Sequence, residues 1–409
     1  MTIAGLPRPA GRRTLAVAVG VLTVTQLIGW GSTFHVPAVL ADRISAGTGL
    51  SSEVVFGGAT IMLLVSAPLS PAAGRLMDRF GTRGAMVAGS CLAAAGLAVL
   101  SVAQGLALFA LAWILVGASM PFALNQASST ALVQIAPGKA RGAIALLLLL
   151  LGLSATIAWP VLIYLDGWLG WRGTVAACAA THLLVCAPLH FLGLPRGRPL
   201  PAVEPPLATS SATAPEPALP PVRGAFWLAA VTFSLTGVLT WGLPMHMVGI
   251  LRGFGHSETA SVWIGALFGP GQVLARAFEM LGGHRFGILA IGVGACATMP
   301  LALLALLLAG YWPAGAIAFA IGYGLSGGLA TIVRAVAPLR LFGPAAYAVM
   351  LGRLSVPQNI AFAFAPVGFA AIREAWGAPV LVALSLGIGL VCLAAMIELR
   401  RRAAAVGIV

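Results

Sequence analysis

An all-α membrane protein of twelve transmembrane helices, arranged as two six-helix pseudo-symmetric bundles, is the fold this sequence predicts. Three observations carry the prediction. The 409 residues are 60% hydrophobic and 8% charged, with mean hydropathy +1.01, whereas soluble domains carry about 25% charged residues. Twelve apolar runs fall six and six about a proline-rich break, and several residue patterns of the first half recur in the second.

The first run, 15–40, follows Arg12 and Arg13 as a signal peptide would. It is too long and lacks a small-residue cleavage site, so it reads as a retained first helix. Span 2 (52–73) runs into the charged turn Gly74-Arg75-Leu76-Met77-Asp78-Arg79-Phe80-Gly81-Thr82-Arg83. Span 3 (85–104) precedes span 4 (106–136), where Pro121 is followed by Asn125, Gln126, Ser128 and Ser129. Span 5 (142–165) carries Trp159-Pro160, and span 6 (173–194) closes the first half. Residues 195–223 hold nine of the 27 prolines among Ser, Thr and Ala, a composition that buries too little surface to fold alone and reads as a linker. Spans 7 to 12 follow at 224–251, 258–281, 286–309, 313–337, 346–371 and 377–398. Each run meets or approaches the roughly 20 residues that a crossing helix needs. The expected organisation is a bundle over 1–194, a cytoplasmic linker over 195–223 and a second bundle over 224–409 with a short basic tail.

The net charge of +13 raises the question of a nucleic-acid partner, and the positions of the basic residues answer it. Sixteen fall on one side of the twelve-span layout: Arg8, Arg12, Arg13, Arg75, Arg79, Arg83, Lys139, Arg141, Arg196, Arg198, Arg223, Arg285, Arg340 and Arg400 to Arg402. Four, Arg43, Arg172, Arg252 and Arg373, fall on the other. This is the positive-inside asymmetry, which places both termini and the linker in the cytoplasm. The charge reports topology in a lipid bilayer and no nucleic acid. The five cysteines show no metal-ligand spacing and read as small core residues. No phosphate-binding Gly-x-x-x-x-Gly-Lys-Ser/Thr loop, nucleophile-base pair or metal-spaced His cluster occurs, so neither an enzyme nor a cofactor is expected.

The repetition is specific. Arg75, Asp78, Gly81 and Arg83 recur as Arg276, Glu279, Gly282 and His284; Gly117 and Pro137 as Gly324 and Pro344; Trp30-Gly31 and His35 as Trp241-Gly242 and His246. Parallel halves joined by a linker place a substrate site near the midplane between them. On these features the chain resembles the major facilitator superfamily of transporters over essentially its whole length. The loop Gly74-x-x-x-Asp78-Arg79-x-Gly81-x-Arg83 is similar to that family's first signature, with Thr82-Arg83 where two consecutive basic residues are usual. The resemblance implies that Asp78 acts at a gate, paired with basic residues and a neighbouring helix end. It also implies that spans 1, 4, 7 and 10 line a cavity, that 3, 6, 9 and 12 face lipid, and that the protein works as a monomer. The span 4 arginine and span 5 glycine-proline-glycine pattern of proton-driven drug antiporters are missing. On the implied map, His182 and His190 and all the cysteines sit on lipid-side helices.

Candidate site residues follow from helical spacing. Gln26, Trp30, Thr33 and Pro37 share one face of span 1, and Ser234, Gly237, Trp241 and Pro244 one face of span 7, so each half offers one Trp. Interhelical packing is the competing account. His35 and His246 lie roughly 140° round from those stripes and are candidates for outer-gate hydrogen bonding, proton coupling or plain packing. Arg334 shares a face of span 10 with Gly327 and Thr331; a cation inside a span is kept for a partner or a pathway, the alternatives being a gate or snorkelling. Gln272, Arg276 and Glu279 share a face of span 8, where an i, i+3 ion pair is expected. Arg353, Gln358 and Asn359 start span 11, and Asn125 and Gln126 add amides from span 4. The interiors of spans 1, 4, 5, 7, 10 and 11 contain no Asp or Glu, so a cationic solute finds no counter-ion. Arginine, amides and Trp suit an anion or a neutral solute.

The sequence therefore predicts a secondary active transporter of the bacterial inner membrane, working by alternating access on a small organic anion. The expected binding set is Gln26, Trp30, Thr33, Asn125, Gln126, Trp241, Thr331, Arg334, Gln358 and Asn359. The expected gate is Gly74, Asp78, Arg79, Gly81, Arg83, Arg276 and Glu279, with His35 and His246 as candidates for a coupled proton. An exporter of drugs or uncharged metalloid acids is the alternative, and a transporter-like sensor a further one.

Overall fold

The computed structural model describes residues 12–195, 222–309, 311 and 314–408, all helix and turn with no strand among them. Most of the expected linker, with Arg8, Arg196 and Arg198, lies outside the described residues. In hydrocarbon every backbone N–H and C=O must be satisfied within the segment, which leaves the helix as the form such apolar runs take.

Twelve passes result. Among the described residues, eight helices are individually long and apolar enough to cross a bilayer, and two of these contain more than one pass. Thr156–Gly193 runs through the turn between spans 5 and 6 at Gly170, and Gly315–Ala405 through two turns at Gly343 and Gly377. Span 8 is the remaining one. It is split into Glu258–Ala266 and Phe268–Leu281, because Pro270 can neither donate to the carbonyl of Ala266 nor clear it sterically.

The turns between spans 5 and 6 and between spans 11 and 12 are each made by one residue. Gly170 (φ 65, ψ 172) and Gly377 (φ 82, ψ 171) adopt the same backbone conformation, one essentially reserved for glycine. They lie 207 residues apart, the offset that also relates Gly117 to Gly324. Those last two glycines have the same job: Gly117 lies against the backbone of Met62, and Gly324 against that of Phe268 and Gly271. A side chain at either position would push span 4 from span 2, or span 10 from span 8.

The chain divides into two compact units, Met1–Leu200 with Tyr347–Gly352, and Pro201–Ala346 with Arg353–Val409. The first has a core around Trp113, Phe109, Leu100 and Val175. Two polar anchors close one end of it: Arg172 donates to the carbonyls of Ser101 and Gly47, both at 3.0 Å, and Arg43 lies 3.5 Å from Asp166. The second unit packs around Tyr323, Phe319 and Leu303, with the Tyr323 hydroxyl donating to the carbonyl of Leu239 at 2.7 Å. Trp168, Trp227, Trp263 and Trp376 are exposed and stand at or near helix ends, the placement of an interfacial aromatic belt.

Candidate functional site

In the first unit, span 4 breaks at Leu124, whose backbone is extended (φ −97, ψ −151), three residues after Pro121. The break presents the carbonyl of Ala123 and the side chain of Asn125 to span 1. Gln26, fully buried, donates to the Ala123 carbonyl at 2.6 Å, and the Trp30 indole donates to Asn125 Oδ1 at 3.3 Å. Trp30 also stacks on Phe34, ring centroids 4.4 Å apart. The Oε1 atom of Gln26 is buried and accepts no hydrogen bond. Gln26, Trp30 and Asn125 thus come together. Thr33 and Gln126 do not join them: the Thr33 hydroxyl is spent on the carbonyl of Gly29 at 2.6 Å, and Gln126 donates to Ser70 at 2.8 Å.

That bond places Gln126 in a second feature, a close seam between span 2 and Tyr347–Gly352. Ser70, Gly74 and Asp78 follow one another at helical spacing along it. A Cβ on Gly74 would run into the carbonyl of Ala348, and one on Gly352 into the carbonyl of Ser70. The Asp78 carboxylate accepts from the backbone N–H of Val349. This is the helix contact expected of Asp78, but among the described residues it forms no ion pair. The basic residues of the loop are occupied elsewhere: Arg83 lies 4.2 Å over the ring of Phe191 and Arg79 lies 5.1 Å over that of Phe80. Gly81 (φ 79, ψ 164) turns the chain between the two spans.

One residue that the sequence did not single out organises this loop. Gln134 accepts from the N–H of Thr82 at 3.2 Å and donates to the carbonyl of Met77 at 2.9 Å. Its amide satisfies an orphan donor at the start of one helix and gives a second hydrogen bond to the Met77 carbonyl, which also accepts from Gly81 N–H at 2.9 Å. An uncharged residue of both hydrogen-bonding types, one turn before Pro137, was the available signal.

In the second unit the ring of Phe362 holds two of the predicted residues. Trp241 stacks on it at 5.4 Å with planes 15° apart, and the Arg334 guanidinium carbon lies 5.3 Å from its centre. Gly237 makes room, since a Cβ there would enter the Phe362 ring. Phe362 was also missed, although it follows Gln358 by one helical turn. Thr331 bonds its own helix at Gly327, 2.8 Å, and Gln358 donates to Leu354 in its own helix, 2.9 Å. Asn359 is buried beside Gln358, and Arg353 is exposed. Arg334 Nη1 is buried without a hydrogen-bond partner.

Three expectations need correction. The Arg276–Glu279 ion pair is not made: Glu279 lies against Gly283, on the side of the turn that ends the helix, and Arg276 Nε is buried without a partner. His182 and His190, discounted because the family resemblance maps span 6 to the lipid side, have their side chains turned inward. They are buried and paired with Ser32 at 2.7 Å and Ser90 at 3.0 Å, the first opening a π-helical turn over His182–Cys186. Cys91 is exposed rather than in the core, while Cys186, Cys296 and Cys392 are buried. The paired histidines of the repeat behave alike. Trp159 donates to His35 Nδ1 at 3.4 Å, and His246 Nε2 donates to the carbonyl of Pro366 at 2.8 Å, so each ties the first helix of its half to the fifth. Among the described residues no cluster of three metal-ligating side chains occurs.

Comparison with known proteins places these features. A family profile described as Major Facilitator Superfamily matches residues 21–366. The chain belongs to the major facilitator superfamily. It is 30% identical over 316 residues, 76% of each chain, to an uncharacterized 38 kDa protein in a 23S RNA operon of Thermoproteus tenax. Its fold is shared with the human organic anion transporter MFSD10 (TM-score 0.68, 16% identity, covering 95% of this chain and 100% of that one). It is shared equally with the outward conformation of the transporter FucP (0.66, 12%, 95% and 99%). The proton:xylose symporter XylE is a third structure of the same fold (0.67, 13%, 94% and 96%). This superfamily member is thus a multi-pass membrane transporter, acting on small molecules in a lipid bilayer.

In this transporter, Gln134→Ala removes both bonds of the loop clamp. It is expected to cost about 1 to 3 kcal/mol by leaving the Thr82 N–H unpaired, while the Met77 carbonyl keeps its bond from Gly81 N–H. Faster limited proteolysis between Met77 and Thr82 than in the parent protein measures it; Gln134→Glu, which keeps only the acceptor, should fall between the two.

Proposed function

We propose that the protein is a secondary active transporter that moves a small organic anion, carboxylate in type, across the bacterial inner membrane by alternating access. The observation that carries this reading is Arg334, a cation within a span whose Nη1 is buried and unpartnered. Its planar fork matches a carboxylate in two parallel hydrogen bonds, and the interiors of spans 7, 10 and 11 carry no acidic residue to neutralise it. Trp241 and Phe362 form the apolar wall beside it, and Gln26, Trp30 and Asn125 form the polar surface of the first half. Thr33, Gln126, Thr331 and Gln358 serve as structural neighbours of these sites, with Asn359 beside them.

The gate belongs to the seam at Gly74 and Asp78, held in register by Gly81, Arg79 and Arg83, with Glu279 as its counterpart in the second half. His35 and His246 are the candidate carriers of a coupled proton. The working unit in this reading is a monomer of two six-helix halves, 1–194 and 224–409, connected in sequence by residues 195–223, with both termini cytoplasmic.

The test is thermal stabilisation of the purified protein against carboxylates, neutral solutes and cations. A ligand at 100 times its dissociation constant stabilises the folded state by about 2.7 kcal/mol, a readable shift in Tm. Carboxylates are expected to give it. One observation favours a second reading, export of neutral apolar compounds: a cleft of about 170 Å³ lies between spans 1, 5 and 6, lined by Leu27, Ile157, Val161 and Leu162 among others. Stabilisation by neutral or cationic compounds alone would select that reading and end the first.

A further inference from the structure

The second unit contains two arginines, each with one buried guanidine nitrogen that no hydrogen bond satisfies. Arg276 is 8% exposed and its Nε is buried without a partner; Arg334 Nη1 is in the same condition. They stand on neighbouring helices that run in the same direction. Gly271 approaches Ile321 and Gly324, and Gly328 approaches Gln272 and Ala275, so contacts advance together along both chains. In this register Arg276 lies level with the residue after Gly328, and Arg334 five residues further on, about 7.5 Å along the axis at 1.5 Å per residue. Arg276, Gln272 and Glu279 share one face of span 8, and Gly327, where an added Cβ would lie 3.5 Å from the Gln272 amide nitrogen, shares a face with Thr331 and Arg334. The charge that acts on Arg334 is that of Arg276. Glu279, the nearby carboxylate in sequence, is directed to Gly283 and does not pair with Arg276.

Two like charges held close in a low-dielectric interior are costly. Such an arrangement persists where an anion of matching charge completes it. We propose that Arg276 is the second cation of the binding site, and that the solute is a dianion whose two carboxylates are held by Arg276 and Arg334. This inference rests on the reading of Arg334 as the anion-binding residue. It also withdraws Arg276 from the gate and explains why the copy of Arg75 in the second half is buried while Arg75 itself is exposed. The separation of the two guanidinium groups favours a short, flexible diacid over a geminal one.

Binding of succinate and glutarate, and of the matched monocarboxylates propionate and butyrate, to the full-length purified protein tests it by thermal shift and equilibrium titration. In the wild type the diacids are expected to bind about 30-fold or more tightly than the monoacids, the effect of one further charge-assisted contact. Arg276→Gln should bring the diacids down to the monoacid level and leave monoacid binding in place. Arg276→Lys should keep part of the preference, and it serves as the readout where the glutamine variant does not fold. Equal binding of monoacids and diacids by the wild type, or a diacid preference that survives Arg276→Gln, overturns the second cation and leaves the anion reading standing. Failure of every carboxylate to bind the wild type overturns both.

Discussion

Arg334→Met is expected to abolish carboxylate binding while leaving the ligand-free protein as stable as the parent, or more stable. Loss of a two-pronged charged contact costs on the order of 3 kcal/mol, a fall of about 100-fold in affinity, and flux of the anion into vesicles should drop correspondingly. The effect on the empty protein has the opposite sign. Arg334 Nη1 is buried and unpartnered although the residue as a whole is only partly buried, so the group carries a desolvation penalty of up to several kcal/mol, and Arg276 adds repulsion. Against this stands one favourable contact, the guanidinium over Phe362, worth about 0.5 to 2 kcal/mol. Desolvation wins, so Tm without ligand should hold or rise, and the increment produced by carboxylate should vanish. A structural arginine would behave in reverse, with Tm falling and the ligand increment preserved. Differential scanning calorimetry with and without carboxylate separates the two outcomes.

The second large effect is expected at Gly74. Gly74→Val drives a branched side chain into the backbone of Ala348. Neither helix can yield locally, because Asp78 bonds Val349 one turn along the same seam. Overpacking of this kind costs about 1 to 3 kcal/mol, and the penalty applies only to the arrangement in which the seam is closed. The population therefore shifts toward an open seam by about 5- to 150-fold. Thiol labelling of a Val349→Cys reporter should quicken by a comparable factor, and transport should fall at least several-fold. Asp78→Asn keeps the shape of the side chain and removes only its charge, so its effect should be smaller and of the same sign. Unaltered labelling and transport in Gly74→Val would show that the seam is no gate.

The twelve passes were legible because hydrocarbon imposes one demand on the backbone and composition alone meets it. The repeat was legible through residues with a single purpose: Gly117 and Gly324 admit a neighbouring backbone, a role that no other side chain fills. The sites were legible only in part. Spacing placed Gln26 and Trp30 on one face, and both do meet span 4. It did not disclose that Thr33 and Thr331 bond their own helices, a choice made by a rotamer. Periodicity also gave no notice of Phe362, Gln134 or the Ser32–His182 pair, since each depends on which distant helix lies opposite. The expected ion pair of Arg276 with Glu279 failed for a related reason. Spacing of three residues permits contact, but the glycine at 283 offered Glu279 another place to lie.

The one-residue turn at Gly170 bears on how the protein enters its membrane. Spans 5 and 6 are joined by a single residue, a connection so short that entry as one hairpin is the simplest route into the bilayer. In the proposed topology, the ionised groups next to that turn are Asp166 and Arg172. After insertion, the first meets Arg43 and the second seals the carbonyl ends of spans 1 and 3. The charges at the tip of the hairpin are thus met by residues that precede it in the chain, so a chain entering in sequence order would find their partners already made.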